Sequence, residues 1–449
     1  MKRVAVFGLA LAGTAAARAL HARGIEVVLA DDSLLPEHHR LAAELGTQVV
    51  DISIEIAVSA FLEGVDTLIP APGVPPRHGL IKAAVQQNID VRSEIDIAYE
   101  WEQLRPGGPR PIFGVTGTDG KTTTTMLAAH LLRAAGNDVA EVGNTDLPFM
   151  AAVDGPHDAF VVECSSFRLH FARMFRCDAS TWLNFAPDHL DWHESLAAYT
   201  QAKQKLWAHV RSTDVAVVPW DNELIMNTAV ASGARVVTFG LEHGDYHRDK
   251  NTLVSPRGPI IDVEYLWRGM PHDVSNSLAA AALVIESGAV TEKMASQPLQ
   301  SFVSAPHRIE RVGKFDGSDW FDDSKATSPH AALTAIRSFD RLVLIAGGRN
   351  KDLDLSQMAT EPHRMHGVVA IGDDASLIED AFRGICDVKT AQSMSEAVLM
   401  ARALTMPGVS VVLSPGCTSY DWYRNYNERG DDFQKIVRAT FGRAAGGQS

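Results

Sequence analysis

Long apolar runs are missing from these 449 residues, and with them any stretch resembling a membrane span. The opening Met-Lys-Arg leads into a short apolar strand cut by Gly8, too brief for the h-region of a signal peptide. Cysteine is scarce. Cys164, Cys177, Cys386 and Cys417 stand apart with no C-x-x-C spacing, so neither a zinc site nor a disulfide framework is suggested. A reducing, cytoplasmic setting is therefore expected. Positive charge is also in deficit, with 41 Lys and Arg against 55 Asp and Glu and a net charge of -14. That balance argues against a general nucleic-acid or anionic-membrane partner, while a local basic pocket for phosphates stays open. Repeats and low-complexity tracts are lacking too. What is there, 46% hydrophobic and 21% charged residues over a length typical of about three domains, is an ordinary globular composition.

Short apolar strands alternate with helical patterns throughout, which predicts an α/β fold with parallel sheets. Residues 1–104 open with a strand over 3–7, a helix over 13–23 and a strand over 25–30, a Rossmann-like arrangement. The Pro- and Gly-rich segment 103–111 reads as a linker. Residues 105–304 then form a central P-loop ATPase-like domain, with strands expected over 159–163 and 179–185. Residues 305–449 form a third, dinucleotide-fold-like domain with strands over 341–346, 368–371 and 409–413.

The most informative stretch is Gly117-Thr-Asp-Gly-Lys-Thr-Thr123, between an apolar strand and a helix. The backbone amides of Thr118, Asp119 and Gly120 can converge on an anion at a helix N-terminus, where unpaired donors and the macrodipole favour negative charge. Lys121 would reach the terminal phosphates of a nucleotide, and Thr122 would hold Mg²⁺. The loop is shorter than the common G-x-x-x-x-G-K-[ST] pattern, whose first glycine would fall on Val115. In the first domain Gly8-Leu-Ala-Leu-Ala-Gly13 varies the dinucleotide fingerprint, with Asp31 and Asp32 placed to meet a ribose or simply to be solvated. Glu163 ends an apolar strand, at the edge where a Mg²⁺ ligand belongs, or else caps the next segment with Ser165 and Ser166. His189 follows another strand. Lys203 alone reads as a surface lysine. In the third domain His307-Arg308, Asp323, Lys325 and Gly347-Gly-Arg-Asn-Lys351 could bring charge toward a polyphosphate.

Taken in order, these segments resemble the Mur ligases. The resemblance rests on 116–122, Gly143-Asn144, 163–167, Leu183-Asn184 with 188–191, Ala202-Lys203, His307-Arg308, 323–327, 413–419 and the tail 425–433. It implies an ATP-dependent amide ligase adding an amino acid, D-glutamate in the branch most similar to this chain, to UDP-N-acetylmuramoyl-L-alanine in peptidoglycan precursor synthesis. It also implies ATP and two Mg²⁺ ions. Thr122, Glu163 and His189 would be ligands, joined by Lys203 as an N-carboxylated lysine. Asp273, Asn276, Arg308 and Asp323 would complete the ATP site. Asp31, Asp32, Asn144, Ser165 and Arg168 would meet the nucleotide-sugar acceptor. Lys325, Thr327, Lys351, Ser419, Tyr420 and Tyr426 would grip the incoming glutamate. Arg168 stands where Gln is frequent and Asp273 where Asn is frequent, implying a cation beside the acceptor and an altered adenine edge. Closure of the third domain and a monomeric state are expected.

Other readings stay open on the sequence alone. A relative adding L-glutamate or another amino acid would share most of these motifs. An NAD-dependent oxidoreductase would use the Gly8–Gly13 turn, and a P-loop ATPase would use only the Lys-Thr loop.

Overall fold

The computed structural model describes residues 1–53, 58 and 60–442. They build three parallel-rich α/β sheets and one small antiparallel sheet, as the alternation of strands and helices predicts. The first sheet has five parallel strands in the order Val49–Asp51, Glu26–Asp31, Arg3–Phe7, Thr67–Pro70, Asp90–Val91. The first helix spans Leu11–Ala22 rather than 13–23. It starts early because Gly8 turns sharply at φ +85 and Thr14 N already donates to Ala10 O.

Six parallel strands form the second sheet: Arg235–Phe239, Val215–Pro219, Ala179–Trp182, Ile112–Thr116, Ala159–Glu163 and Val139–Gly143. The strand expected over 179–185 stops at Trp182, since Leu183 and Asn184 turn onto the glycine loop, where Asn184 is hydrogen-bonded. The hairpins of the three-stranded sheet over 247–262 were not foreseen. Their strands are only three to five residues long, too short for a period of two to stand out. The third sheet runs Glu310–Phe315, Ser318–Asp322, Ser410–Gly416, Leu342–Gly347, Met365–Ile371, Asp387–Thr390, parallel except for its first pair. Among the described residues no helix is long and apolar enough to cross a membrane.

The chain forms two compact units, Met1–Gly269 with Asp273–Phe302, and Met270–His272 with Val303–Ser449. The first two sheets share one unit because buried charges staple them. Arg110 donates to both oxygens of Glu102, at 3.0 and 2.6 Å. Asp96 Oδ1 accepts the amides of Arg173, Met174 and Phe175. Arg168 Nη1 donates to Glu94 Oε1 at 2.5 Å, and Glu94 Oε2 accepts from Met150 N. Burial pushes the Glu94 carboxyl up and Arg168 opposes it. Glu94→Gln would strand a guanidinium only 5% exposed. The expected cost is about 3–5 kcal/mol in urea unfolding, the range for half of a buried ion pair removed; a loss below about 1 kcal/mol would show that the staple carries no weight.

Candidate active site

Strand register assembles the site. Val115 and Gly143 both pair with Glu163, and Thr116 pairs with Trp182, so the loops after all four strands leave one sheet edge together. Gly120, at φ +79, ends the glycine loop and starts the helix Lys121–Ala134, which has no side-chain N-cap among the described residues. A side chain at Gly120 would press a Cβ to 2.6 Å from Asn276 Oδ1, so Asn276 lies against the loop. One expectation changes here. The amides of Thr118 and Asp119 do not point at an anion position; both donate to Asn184 Oδ1 at 2.9 Å. The amides of Lys121, Thr122 and Thr123 lie in the first turn of the helix, where the dipole favours negative charge.

Two ammonium groups share one oxygen in this loop. Lys121 Nζ donates to Gly117 O at 2.9 Å and to Thr118 O at 2.8 Å, while Lys203 Nζ donates to the same Gly117 O at 2.7 Å. Lys203 is no surface lysine. It is 1% exposed on the helix Leu196–Gln204, with Nζ 4.8 Å from the Tyr199 ring centroid. Burial first, and Lys121 second, hold its amine well below the ordinary lysine range. A neutral buried amine is the form that attacks CO₂.

Glu163 is 2% exposed. Its Oε1 accepts from Asn144 Nδ2 at 3.0 Å, and its Oε2 has no hydrogen-bond partner among the described residues. An orphaned buried carboxylate oxygen is costly unless a cation meets it, and a hard oxygen-seeking ion fits. The capping role falls to Ser165, whose Oγ accepts from Arg168 N at 3.4 Å at the start of Ser166–His170. His189 sits in a left-handed conformation, φ +55, 4.6 Å from the Phe167 ring, with Nε2 3.4 Å from Asp188 Oδ2. Next to it His193 is buried, its Nε2 3.0 Å from Ser166 Oγ, and burial together with His170 pushes it down to about 3.

Several other expectations shift. Asp31 Oδ2 accepts from Leu9 N at 2.7 Å and Oδ1 from Ser33 N at 3.2 Å, so its carboxylate organises the turn. Gly13 is required there, since a Cβ would fall 1.9 Å from Gly8 O. Asp32 lies 3.2 Å from His78 Nε2. Arg168 turns its guanidinium to Glu94, and Arg268 donates to both oxygens of the fully buried Asp273. Each extra charge is thus matched inside the protein.

In the third domain Lys325 Nζ lies 3.7 Å from the centroid of the Tyr426 ring. Thr327 directly precedes Ser328, which caps the helix Pro329–Arg337. Lys351 follows Asn350, whose Oδ1 accepts Lys351 N. Ser419 is buried and Tyr420 is 67% exposed. His307, Glu310 and Asp322 crowd together, but as a hydrogen-bonded network: His307 Nδ1 is 2.7 Å from Asp322 Oδ2, and His307 N donates to Glu310. Asp323 accepts from Ser414 Oγ at 2.7 Å and from Ile309 N at 3.2 Å. Burial pushes its carboxyl up to about 7, against the pull of Ser414 and Arg308. Because the folded state holds this proton more tightly than the unfolded chain, that contribution to stability is full below about pH 4 and fades as pH rises toward 7. Asp323→Asn should therefore gain on the parent by a few kcal/mol, roughly, between pH 4 and 8 in paired thermal-unfolding scans; parallel pH profiles would refute it.

Sequence reasoning passed over Asn184, Tyr199, Asp188 and Arg429 as site-building residues. Asn184 and Asp188 lie within motifs named above, and Tyr199 stands one helical turn before Lys203, but none of the three is given a role there. Tyr199 OH lies 3.2 Å from Thr118 Oγ1.

Comparison with known proteins agrees along the chain. Residues 2–93 match the Mur ligase MurD-like N-terminal domain, 115–284 the Mur ligase middle domain, and 307–417 the Mur ligase glutamate ligase domain. The UDP-N-acetylmuramoylalanine--D-glutamate ligase of Streptomyces avermitilis is 35% identical, covering 97% of this chain and 98% of that protein. The enzyme of the same name from Frankia casuarinae is 36% identical, covering 98% and 94%. Among solved structures, the UDP-N-acetylmuramate-alanine ligase of Thermotoga maritima shares the fold with a TM-score of 0.61 at 17% identity, covering 98% of this chain and 100% of that one. The MurF ligase of the same organism, in complex with ADP, gives 0.62 at 16% identity, covering 93% and 95%. The chain belongs to the Mur ligase family, on its UDP-N-acetylmuramoylalanine--D-glutamate ligase branch.

Proposed function

We propose that this protein is an ATP-dependent ligase joining D-glutamate to UDP-N-acetylmuramoyl-L-alanine, a step of peptidoglycan precursor synthesis in the cytoplasm. The observation that carries the reading is Glu163, whose buried Oε2, without a hydrogen-bond partner among the described residues, shares a sheet edge with the Lys121 loop. The names and full-length similarity of the relatives support the choice of substrates.

The three matched segments support a division of labour. Residues 1–104 take the nucleotide-sugar, with Asn144, Ser165 and Arg168 of the central domain nearby. Residues 105–304 take ATP through the Gly117–Thr123 loop, Asp273 and Asn276. Residues 305–449 take glutamate through Lys325, Thr327, Lys351, Ser419, Tyr420 and Tyr426. Thr122, Glu163, His189 and an N-carboxylated Lys203 would hold Mg²⁺, which supplies charge neutralisation on the phosphoryl oxygens when bound.

In the first step the alanyl carboxylate attacks the γ-phosphorus of ATP, the bond to the β,γ-bridging oxygen breaks, and ADP leaves with that electron pair. Lys121 and the first-turn amides stabilise the charge spreading over the transferring group. The glutamate amine then attacks the acyl phosphate carbonyl, loses a proton, and inorganic phosphate departs to leave the amide. With no covalent enzyme intermediate required, the residues act by positioning and electrostatics. The test is phosphate release with Mg-ATP and UDP-N-acetylmuramoyl-L-alanine, comparing D-glutamate, L-glutamate and other amino acids. Strong stimulation by D-glutamate is expected. Equal rates with every amino acid, or none, would overturn the proposal.

A further inference from the structure

Resting on the glutamate-site reading above, the geometry points to Arg429 as the positioning residue of that site, and we propose that its guanidinium sets the affinity for the incoming amino acid by fixing the loops that grip it. The strands Ser318–Asp322, Ser410–Gly416 and Leu342–Gly347 are parallel neighbours, so their following loops emerge at one edge. Those loops carry Lys325 and Thr327, Ser419 and Tyr420, and Lys351. Arg429 lies beneath them on the helix Tyr426–Gly442, only 1% exposed.

All five of its N–H donors are used. Nε donates to Ser324 Oγ at 2.9 Å and Nη2 to Ser324 O at 2.8 Å. Nη1 donates to Cys417 O and Thr418 O, and Nη2 also to Cys417 O, each at 3.2 Å. One rigid planar fork therefore ties the loop before Lys325 to the loop before Ser419. The third loop is tied in through the backbone. Arg349 and Thr418 exchange amide hydrogen bonds at 3.0 and 2.9 Å, and a Cβ at Gly348 would lie 3.2 Å from Arg429 Nη1. Ser324 Oγ in turn donates to Tyr426 O, linking the fork to the start of its own helix.

Nothing in this arrangement places Arg429 on the substrate. All five bonds go to carbonyl or hydroxyl oxygens rather than to an anion, which is an expensive way to bury a cation unless the geometry it imposes is needed. Lysine has the charge but only three donors and no fixed plane, so it cannot reproduce the five-bond fork.

The test compares R429K with the parent in steady-state kinetics, varying D-glutamate, ATP and UDP-N-acetylmuramoyl-L-alanine in turn. The expected result is a KM for D-glutamate raised about ten-fold or more, from loosening the gripping loops by a fraction of an ångström, with the other two KM values within about two-fold. In R429A, added methylguanidinium should recover part of the D-glutamate affinity, and added methylammonium should not. If R429K does not fold, S324A, which removes one acceptor of the fork, carries the same kinetic comparison. A parental KM for D-glutamate in R429K, or an equal rise in all three KM values, overturns the proposal. A parent enzyme without D-glutamate-dependent phosphate release would instead defeat the functional reading on which it rests.

Discussion

Replacing Lys121 by Ala is expected to lower turnover by at least about 10²–10³-fold, the scale seen when one preorganised donor to a developing charge is removed. Its ammonium is held by the carbonyl oxygens of Gly117 and Thr118, at a helix N-terminus with no side-chain cap among the described residues. That tether is local, so the loss should come without a change in fold. Glu163→Gln is the companion. It preserves the shape that meets Asn144 but removes the charge from the buried oxygen that has no partner among the described residues. Its phosphate release should fall by a similar factor, and the Mg²⁺ concentration giving half-maximal rate should rise steeply. Parental turnover in either variant, measured by phosphate release with unfolding midpoints as control, would sink the assignment of the site.

The second large effect concerns Lys203. An ammonium so deeply buried, sharing a carbonyl with another lysine, is electrostatically unfavourable by several kcal/mol, roughly, unless it gives up its proton. Carboxylation removes the proton and the positive charge together. The ammonium first gives up one proton; the neutral amine nitrogen then bonds to the carbon of CO₂ as one C=O electron pair moves onto oxygen, a second proton leaves the nitrogen, and the product is a carbamate anion with two oxygens. Lys203→Ala should reduce turnover about as far as Lys121→Ala, and formate or acetate in the assay should restore part of it by supplying the missing oxygens. Stripping CO₂ from the parent enzyme should slow it reversibly, with bicarbonate restoring the rate. A parent insensitive to CO₂ combined with a Lys203→Ala variant that no small carboxylate helps would remove the carbamate from the picture.

Positions at strand ends were readable from the chain because an apolar strand followed by glycine or a polar residue carries its own boundary. Lys121 and Glu163 belong to that class, and the structure puts them on one edge by simple parallel register. Burial was not readable where it depends on packing between distant segments. Lys203 lies on a short helix with no strong apolar face, and its hydrogen bond to the Gly117 carbonyl, 86 residues away, is set by tertiary packing. Arg168 looked like a cation for a ligand because Glu94, 74 residues earlier, could not be paired with it from sequence. Asp273 and Arg268 are only five residues apart, and there the pairing was legible in principle. Helix starts moved by two residues at Leu11, where backbone turn geometry rather than a capping side chain sets the boundary.

The Asn184 carboxamide, which receives two loop amides and returns a hydrogen bond to Asp119 O at 3.1 Å, has a kinetic consequence. In the proposed nucleotide site, a loop backbone already braced by its own protein does not have to be ordered on binding, which favours faster association and leaves less of the binding free energy lost to ordering the chain.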